Sequence, residues 1–189
     1  MVSGSHYLMP AVLLDREGVI VVREPRDPCS FAPRRLAEYR LYPETLASLQ
    51  RLKGASFPQA VVTNQPGVED SSAPRPEVDA KQKIIWHELP VDVFKVCFHR
   101  QVDGWACRKR KPGMALEAAK DLGIGLVRND MIENREGDVG AGCAAGCTTV
   151  FNGVGYDEPA PGTPERALRS IAGAADVIIG AALTIQETS

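Results

Sequence analysis

The chain has 189 residues, 44% of them hydrophobic and 24% charged, which fits one globular domain with its own core. A net charge of −2 excludes a general basic field and disfavours long nucleic acid as a partner, so a local cluster has to attract any phosphate ligand. The opening MVSGSHYLMP lacks the charged start and apolar run of a secretion signal, and no apolar stretch reaches membrane-spanning length. Five cysteines (Cys29, Cys97, Cys107, Cys143 and Cys147) are odd in number and too sparse for a disulfide scaffold. A cytoplasmic protein with reduced thiols or a metal site is expected.

The first element is Ala11 to Val22, AVLLDREGVIVV. Four apolar residues, enough for a buried parallel strand, run into Asp15, and Arg16, Glu17 and Gly18 then break the pattern. A carboxylate at the end of a buried strand is costly unless it faces a ligand, and in open α/β sheets ligands bind outside the carboxyl ends of the strands. Residues 23–40 are rich in Arg and Pro and have no period, reading as a surface loop near the site. Its Arg23, Arg26, Arg34 and Arg35 are either solvated or turned to an anionic substrate. From Pro43 a helix is marked, with Leu46, Leu49 and Leu52 on one face and Gly54 to end it.

A second strand, Ala60 to Val62, ends in a hydroxyl and two amides, Thr63, Asn64 and Gln65. After a polar loop at 70–76, Val78, Ile85 and Leu89 recur at helical spacing, with His87 a surface histidine of that helix. Val91 to Phe98 is a third strand. The basic turn Cys107-Arg108-Lys109-Arg110-Lys111-Pro112 then opens a helix from Met114 to Leu122, closed by Gly123. Met131-Ile132 is a fourth strand, Gly140 to Gly146 a small-residue helix on which Cys143 and Cys147 pack, and Thr148 to Phe151 a fifth strand. Gly153 to Pro164 is a Gly and Pro loop, and Ala175 to Leu183 an apolar closing element of unassigned type. Strands alternating with helices predict a single Rossmann-like α/β domain, a mostly parallel sheet with helices on both faces. The domain takes in 1–189, with its core at about 9–155, a closing element at about 164–185 and no connection long enough for a large cap.

An acid, a hydroxyl beside backbone donors, and a lysine, in this order, make a set for handling phosphate. The phrases DREGV, TNQPGV, CRKRKPGM and GDVGAGCAAG carry a resemblance to the haloacid dehalogenase superfamily, in the branch of heptose-bisphosphate and histidinol-phosphate phosphatases. The likeness spans roughly residues 9–155, and four motifs in the right order are a specific signal.

That resemblance implies two-step hydrolysis of a phosphomonoester through an aspartyl phosphate. Asp15 is the implied nucleophile, Glu17 the acid that protonates the leaving oxygen, Thr63 and the backbone N–H of Asn64 the holders of phosphoryl oxygens, Lys109 the bridge between nucleophile and phosphate, and Arg108 a substrate contact. Magnesium is the implied cofactor, held by Asp15, residue 17 through its carbonyl, Asn134 and Asp138. Two of these positions depart from the family. Glu17 stands where it has Asp, one methylene longer, and misplacement by about 1 Å costs on the order of 100-fold in rate. Asn134 stands where it has the first Asp of the last motif, bringing an amide oxygen without charge to a hard cation, with Glu133 or Glu136 as candidates to compensate.

The branch also carries a zinc loop, for which this chain offers Cys97, His99 and Cys107 while Trp105 takes the place of one ligand. A structural zinc then needs a fourth ligand from Asp103 or water. The leading expectation is a magnesium-dependent phosphatase, with weakened activity, of a small phosphorylated metabolite, a sugar phosphate or bisphosphate above all. Beside it stand a catalytically silent relative that binds a phosphate ligand or a partner, and a phosphatase of polynucleotide ends.

Overall fold

The computed structural model describes residues 10–26, 29–125, 129–153 and 166–187. In chain order its strands are β1 (Val12–Leu14), β2 (Glu24–Arg26), β3 (Cys29–Phe31), β4 (Gln59–Asn64), β5 (Val93–Cys97), β6 (Asp130–Glu133), β7 (Thr148–Asn152) and β8 (Arg166–Leu168). The helices are α1 (Thr45–Gly54), α2 (Arg75–Glu88), α3 (Gly113–Leu122), α4 (Glu136–Ala145) and α5 (Ile171–Glu187). No helix among the described residues is long and apolar enough to cross a membrane.

Six strands form one parallel sheet in the order β5-β4-β1-β6-β7-β8. All three residues of β1 are fully buried, as expected for a strand covered on both faces. Alternation along the strands divides the core. Val12, Leu14, Val61, Ile132 and Val150 meet Leu49 and Leu52 of α1, Ile85 of α2, and Ile171, Ala174 and Ile178 of α5. Leu13, Ala60, Val62 and Met131 turn the other way, onto Met114, Ala115 and Ala118 of α3 and Ala141 of α4. This is the Rossmann-like architecture that the alternating pattern predicts, with helices on both faces.

The strand order positions the site. From β1 the chain moves out through β4 to β5, then returns to the other flank of β1 at β6. The crevice where the winding reverses therefore lies between β1 and β6, at the carboxyl ends of the strands. Leu14 pairs with Val61 and Ile132, so the next residue along, Asp15, emerges beside Glu133.

Several local expectations change. The 23–40 stretch contains the antiparallel β2–β3 hairpin and a 3-10 turn at Leu36–Glu38, because paired main-chain groups replace the solvent that a free loop would need. Leu46 is 43% exposed, since the buried stripe of α1 runs through Thr45, Ser48, Leu49 and Leu52 and leaves it on the flank. The positive φ after α1 falls on Ser56 rather than Gly54, whereas Gly123 and Gly146 close α3 and α4 in the left-handed conformation. Cys147 is buried just beyond α4, while Cys143 on the helix is exposed. The closing element is α5, packed against α1, and β8 adds an edge strand that has no signal in its sequence. Most of the Gly and Pro loop at 153–164 lies outside the described residues.

Lys81 is the least expected core residue. It sits between Val78 and Ile85 on the buried stripe of α2, is 1% exposed, and donates from Nζ to the carbonyls of Pro33 and Arg34, each at 2.7 Å. One turn earlier, Glu77 Oε2 accepts from the Leu36 N–H at 2.7 Å. Two residues four apart on α2 thus staple the 33–36 segment over the mouth of the crevice. Replacing Lys81 by Met keeps the apolar stem but leaves two carbonyls without their donor, at a cost of about 1–3 kcal/mol each if they stay buried. Lys81→Met is expected to lower the thermal midpoint by at least about 3 °C, and an unchanged midpoint would show that water replaces the ammonium.

Candidate active site

At the carboxyl ends of β1, β4 and β6 lies a cavity of about 490 Å³. Asp15, Glu17, Asn64, Gln65, Arg108, Lys109, Asn134 and Asp138 line it. The lysine comes from the turn before α3 and reaches Asp15 because α3 packs on the face toward which Leu13 and Met131 point. Lys109 Nζ stands 2.9 Å from Asp15 Oδ1, and 2.9 and 3.2 Å from the two oxygens of Glu133. Asp138, in the first turn of α4, completes a group in which carboxylate oxygens of Asp15, Glu133 and Asp138 lie within 4.8 Å of one another. Asp15 is 6% exposed, Lys109 4% and Glu133 not at all, while Asp138 is half-buried.

Three carboxylates face one ammonium, so the pocket floor holds an excess of negative charge. Burial alone would lower the Lys109 value, but the charges of Asp15, Glu133 and Asp138 outweigh it and hold the ammonium protonated. Burial, with the neighbouring carboxylates adding to it against the pull of Lys109, raises Glu133 well above the usual range and raises Asp138 as well.

Asn134 follows Glu133 and is 4% exposed, with neither its amide oxygen nor its amide nitrogen partnered. It lies over Gly18, whose φ of 85° belongs to the left-handed region. A Cβ built there would stand 1.9 Å from Asn134 Nδ2, so only glycine fits. The Gly18 carbonyl accepts from Asn152 Nδ2 at 3.0 Å, and Gly18 N–H donates to the Val21 carbonyl at 2.7 Å, which ties the turn after Asp15 to β7 and to itself.

Glu17 points away from the carboxylate group. Its Oε1 accepts from Arg16 Nε at 2.5 Å, and its Oε2 accepts from Thr63 Oγ1 at 3.2 Å and from Gln65 Nε2 at 2.9 Å. The Thr63 hydroxyl is therefore engaged with Glu17, and it also accepts from Gln65 at 3.0 Å. The Asn64 side chain grips the backbone of Lys109, accepting from Lys109 N–H at 3.3 Å and donating to the Lys109 carbonyl at 3.5 Å. Arg108 lines the cavity with its Nε and Nη1 buried and unpartnered, an arrangement that an anion would satisfy. Of the loop arginines, Arg23 and Arg34 line the cavity.

The structure thus brings Asp15, Lys109, Asn134 and Asp138 into one crevice, with Glu17 and Thr63 locked together at its side. Glu133, one of the two candidates to compensate for Asn134, joins Asp15 and Asp138 in the carboxylate group, while the Glu17 carboxylate is engaged elsewhere. Gln65 and Lys81 are site residues that sequence reasoning passed over. A lysine on an apolar helical stripe was the available signal for Lys81.

The second cluster lies at the end of β5. Cys97 Sγ is 2.9 Å from Cys107 Sγ, and His99 Nδ1 is 3.7 and 3.2 Å from the two sulfurs. Burial, and then the hydrogen bond with Cys107, push the Cys97 thiol up to about 12. Trp105 stacks on the His99 ring at 4.2 Å, and Asp103 pairs with Arg100 at 3.7 Å. Among the described residues this set stays one short of the four ligands of a structural zinc.

No family model matches the chain. A D-glycero-beta-D-manno-heptose-1,7-bisphosphate 7-phosphatase of Rhodopseudomonas palustris is 32% identical over 149 residues, which cover 72% of this chain and 79% of that one. Its counterpart in Pseudomonas putida is 29% identical over 167 residues, 85% of this chain and 93% of that one. Among solved structures, the D,D-heptose 1.7-bisphosphate phosphatase from B. bronchiseptica, complexed with magnesium and phosphate, superposes with a TM-score of 0.75 at 23% identity. The match covers 91% of this chain and 99% of that one, a likeness of fold. The chain belongs to the haloacid dehalogenase superfamily, in the branch of the heptose-bisphosphate phosphatases, and its class is that of the phosphoric monoester hydrolases.

The excess charge gives a pH signature. Glu133 and Asp138 have folded-state values above their unfolded ones, so the stability they contribute is complete in acid and is lost as the pH rises through the raised values. With divalent cations chelated, the thermal midpoint is expected to fall as the pH rises above the ordinary carboxylate range, and to fall less in Glu133→Gln. Parallel profiles for the two proteins would mean that the buried charge is already balanced.

Proposed function

We propose that the chain hydrolyses the phosphomonoester of a small phosphorylated metabolite, of the sugar-phosphate or bisphosphate kind, through an aspartyl phosphate on Asp15. The observation that carries this reading is the Asp15 Oδ1 to Lys109 Nζ contact of 2.9 Å at the floor of an anion-lined but arginine-walled cavity. In the first step an oxygen of Asp15 forms a bond to phosphorus while the bond to the leaving oxygen breaks. Lys109 holds the nucleophile and neutralises charge on the phosphoryl group. The two unpartnered donors of Arg108 receive the substrate. Thr63 can reach a phosphoryl oxygen as a donor only by releasing Glu17.

The donor set fits a hard divalent cation such as magnesium. Three carboxylates within 4.8 Å and an unpartnered, buried amide oxygen are oxygen ligands without another partner for their excess charge. Asp15, Glu133, Asp138 and Asn134 would hold it, and it would supply the positive charge that lets one anion attack another. Magnesium and phosphate in the B. bronchiseptica relative support this reading. Glu17 for Asp, and an uncharged ligand at 134, support an activity weaker than that of relatives with both carboxylates. A small metabolite of this kind supports a cytoplasmic setting.

Asp15→Asn and Lys109→Met are each expected to reduce hydrolysis of p-nitrophenyl phosphate by at least about 10³-fold with the fold intact by circular dichroism. Vanadate should inhibit the unmodified protein. Hydrolysis undiminished in Asp15→Asn would rule the reading out.

A further inference from the structure

We infer that the weakening at residue 17 is selective: the site favours phosphates whose leaving oxygen departs without a proton, namely acyl phosphates, phosphoanhydrides and aryl phosphates, over alkyl esters. The inference rests on the aspartyl-phosphate chemistry proposed above, and it makes a sugar phosphate, which is an alkyl ester, a slow substrate of this site.

When Asp15 bonds to phosphorus, the electron pair of the breaking P–O bond goes to the leaving oxygen. An alkoxide is a strong base and needs a proton as it forms. A carboxylate, a phosphate or a phenolate leaves as a stable anion. Among the described residues the acids at the cavity are Asp15, Glu17, Asp70, Asp138 and, on its floor, Glu133. Asp15 is occupied by the phosphoryl group, and Glu133 and Asp138 belong to the carboxylate group that attracts the cation. Asp70, also on the cavity wall, accepts from the Ser72 N–H at 2.9 Å. Glu17 remains.

Both of its oxygens are already acceptors. Arg16 Nε holds Oε1 at 2.5 Å, and Thr63 Oγ1 and Gln65 Nε2 hold Oε2 at 3.2 and 2.9 Å. Arg16 is 1% exposed, so turning Glu17 toward a leaving oxygen would strand a buried guanidinium without its carboxylate. The additional methylene of Glu is what lets the carboxylate reach this far sideways. Glu17 acts as a positioning residue, joining β4 to the turn after β1, and hands no proton to the leaving group. What faces the leaving group instead is cationic. Arg108, with two buried N–H groups free to donate, and Arg34, Arg110 and Arg135 on the same walls suit a leaving group that carries its own negative charge.

The test is the dependence of kcat/KM on the leaving group, which reports the phosphorylation step alone. Acetyl phosphate, p-nitrophenyl phosphate, phenyl phosphate and glycerol phosphate would be compared at saturating magnesium, using the full chain and Glu17→Asp. A general acid contributes about 10²–10⁴-fold. The unmodified protein should therefore lose at least about 10²-fold from acetyl phosphate to glycerol phosphate, and Glu17→Asp should recover most of that loss on glycerol phosphate while changing acetyl phosphate little. The series on the unmodified protein decides the matter even where the variant fails to fold. Alkyl and acyl phosphates hydrolysed within about tenfold of one another would overturn this inference and leave the phosphatase reading standing. Failure to turn over any member of the series would overturn both.

Discussion

The structure depends on a buried imbalance of charge. Lys109 sits between Asp15 and Glu133, with Asp138 close by, at the buried floor of the crevice. Three carboxylates cannot be neutralised by one ammonium, and desolvation makes that shortfall expensive. A polypeptide tolerates such an arrangement where a ligand completes it. Everything around the crevice serves to hold it: β1 and β6 set the two carboxylates side by side, Asn64 fixes the backbone of the lysine, and Gly18 makes room for Asn134.

The two departures from the family pattern have different consequences once they are seen in three dimensions. At 134 the lost charge is offset one residue earlier, because Glu133 ends β6 on the face where Lys109 arrives, so the group keeps its carboxylates with a changed order along the chain. At 17 nothing comparable happens. The longer side chain finds Arg16, Thr63 and Gln65 and becomes part of the framework. One change leaves a carboxylate beside the lysine, while the other turns a side chain away from it. The wall that faces the substrate is correspondingly rich in arginine, and α2 holds part of it in place through Lys81 and Glu77.

The ends of β1, β4 and β6 could be read from sequence because each is an apolar run that stops at polar residues, and a buried parallel strand has few other ways to stop. The helices α1 to α3 were legible for a similar reason, by period and by the glycine after α3. By contrast, α4 was legible only as a run of small residues from 140 on, and its first turn at 136–139 was not. The hairpin at 24–31 was hidden, since strands of three residues contain too little alternation to count. So was β8, an edge strand as short as those. The side of the crevice that each side chain takes was hidden too, and for Glu17 the direction of the side chain changes the part that it plays.

The order of Asp15, Thr63 and Lys109 along the chain, with hydrophobic runs before the first two, determined the fold and the phosphate chemistry, because those features are local and survive in any α/β winding of this kind. Which carboxylates meet the lysine was decided only by tertiary structure. Contacts between residues 15, 109 and 133 depend on strand register and on the face to which α3 packs, and no local pattern encodes either. The same holds for the three donors gathered on Glu17, two of which arrive from β4 and the turn after it, 46 and 48 residues away along the chain.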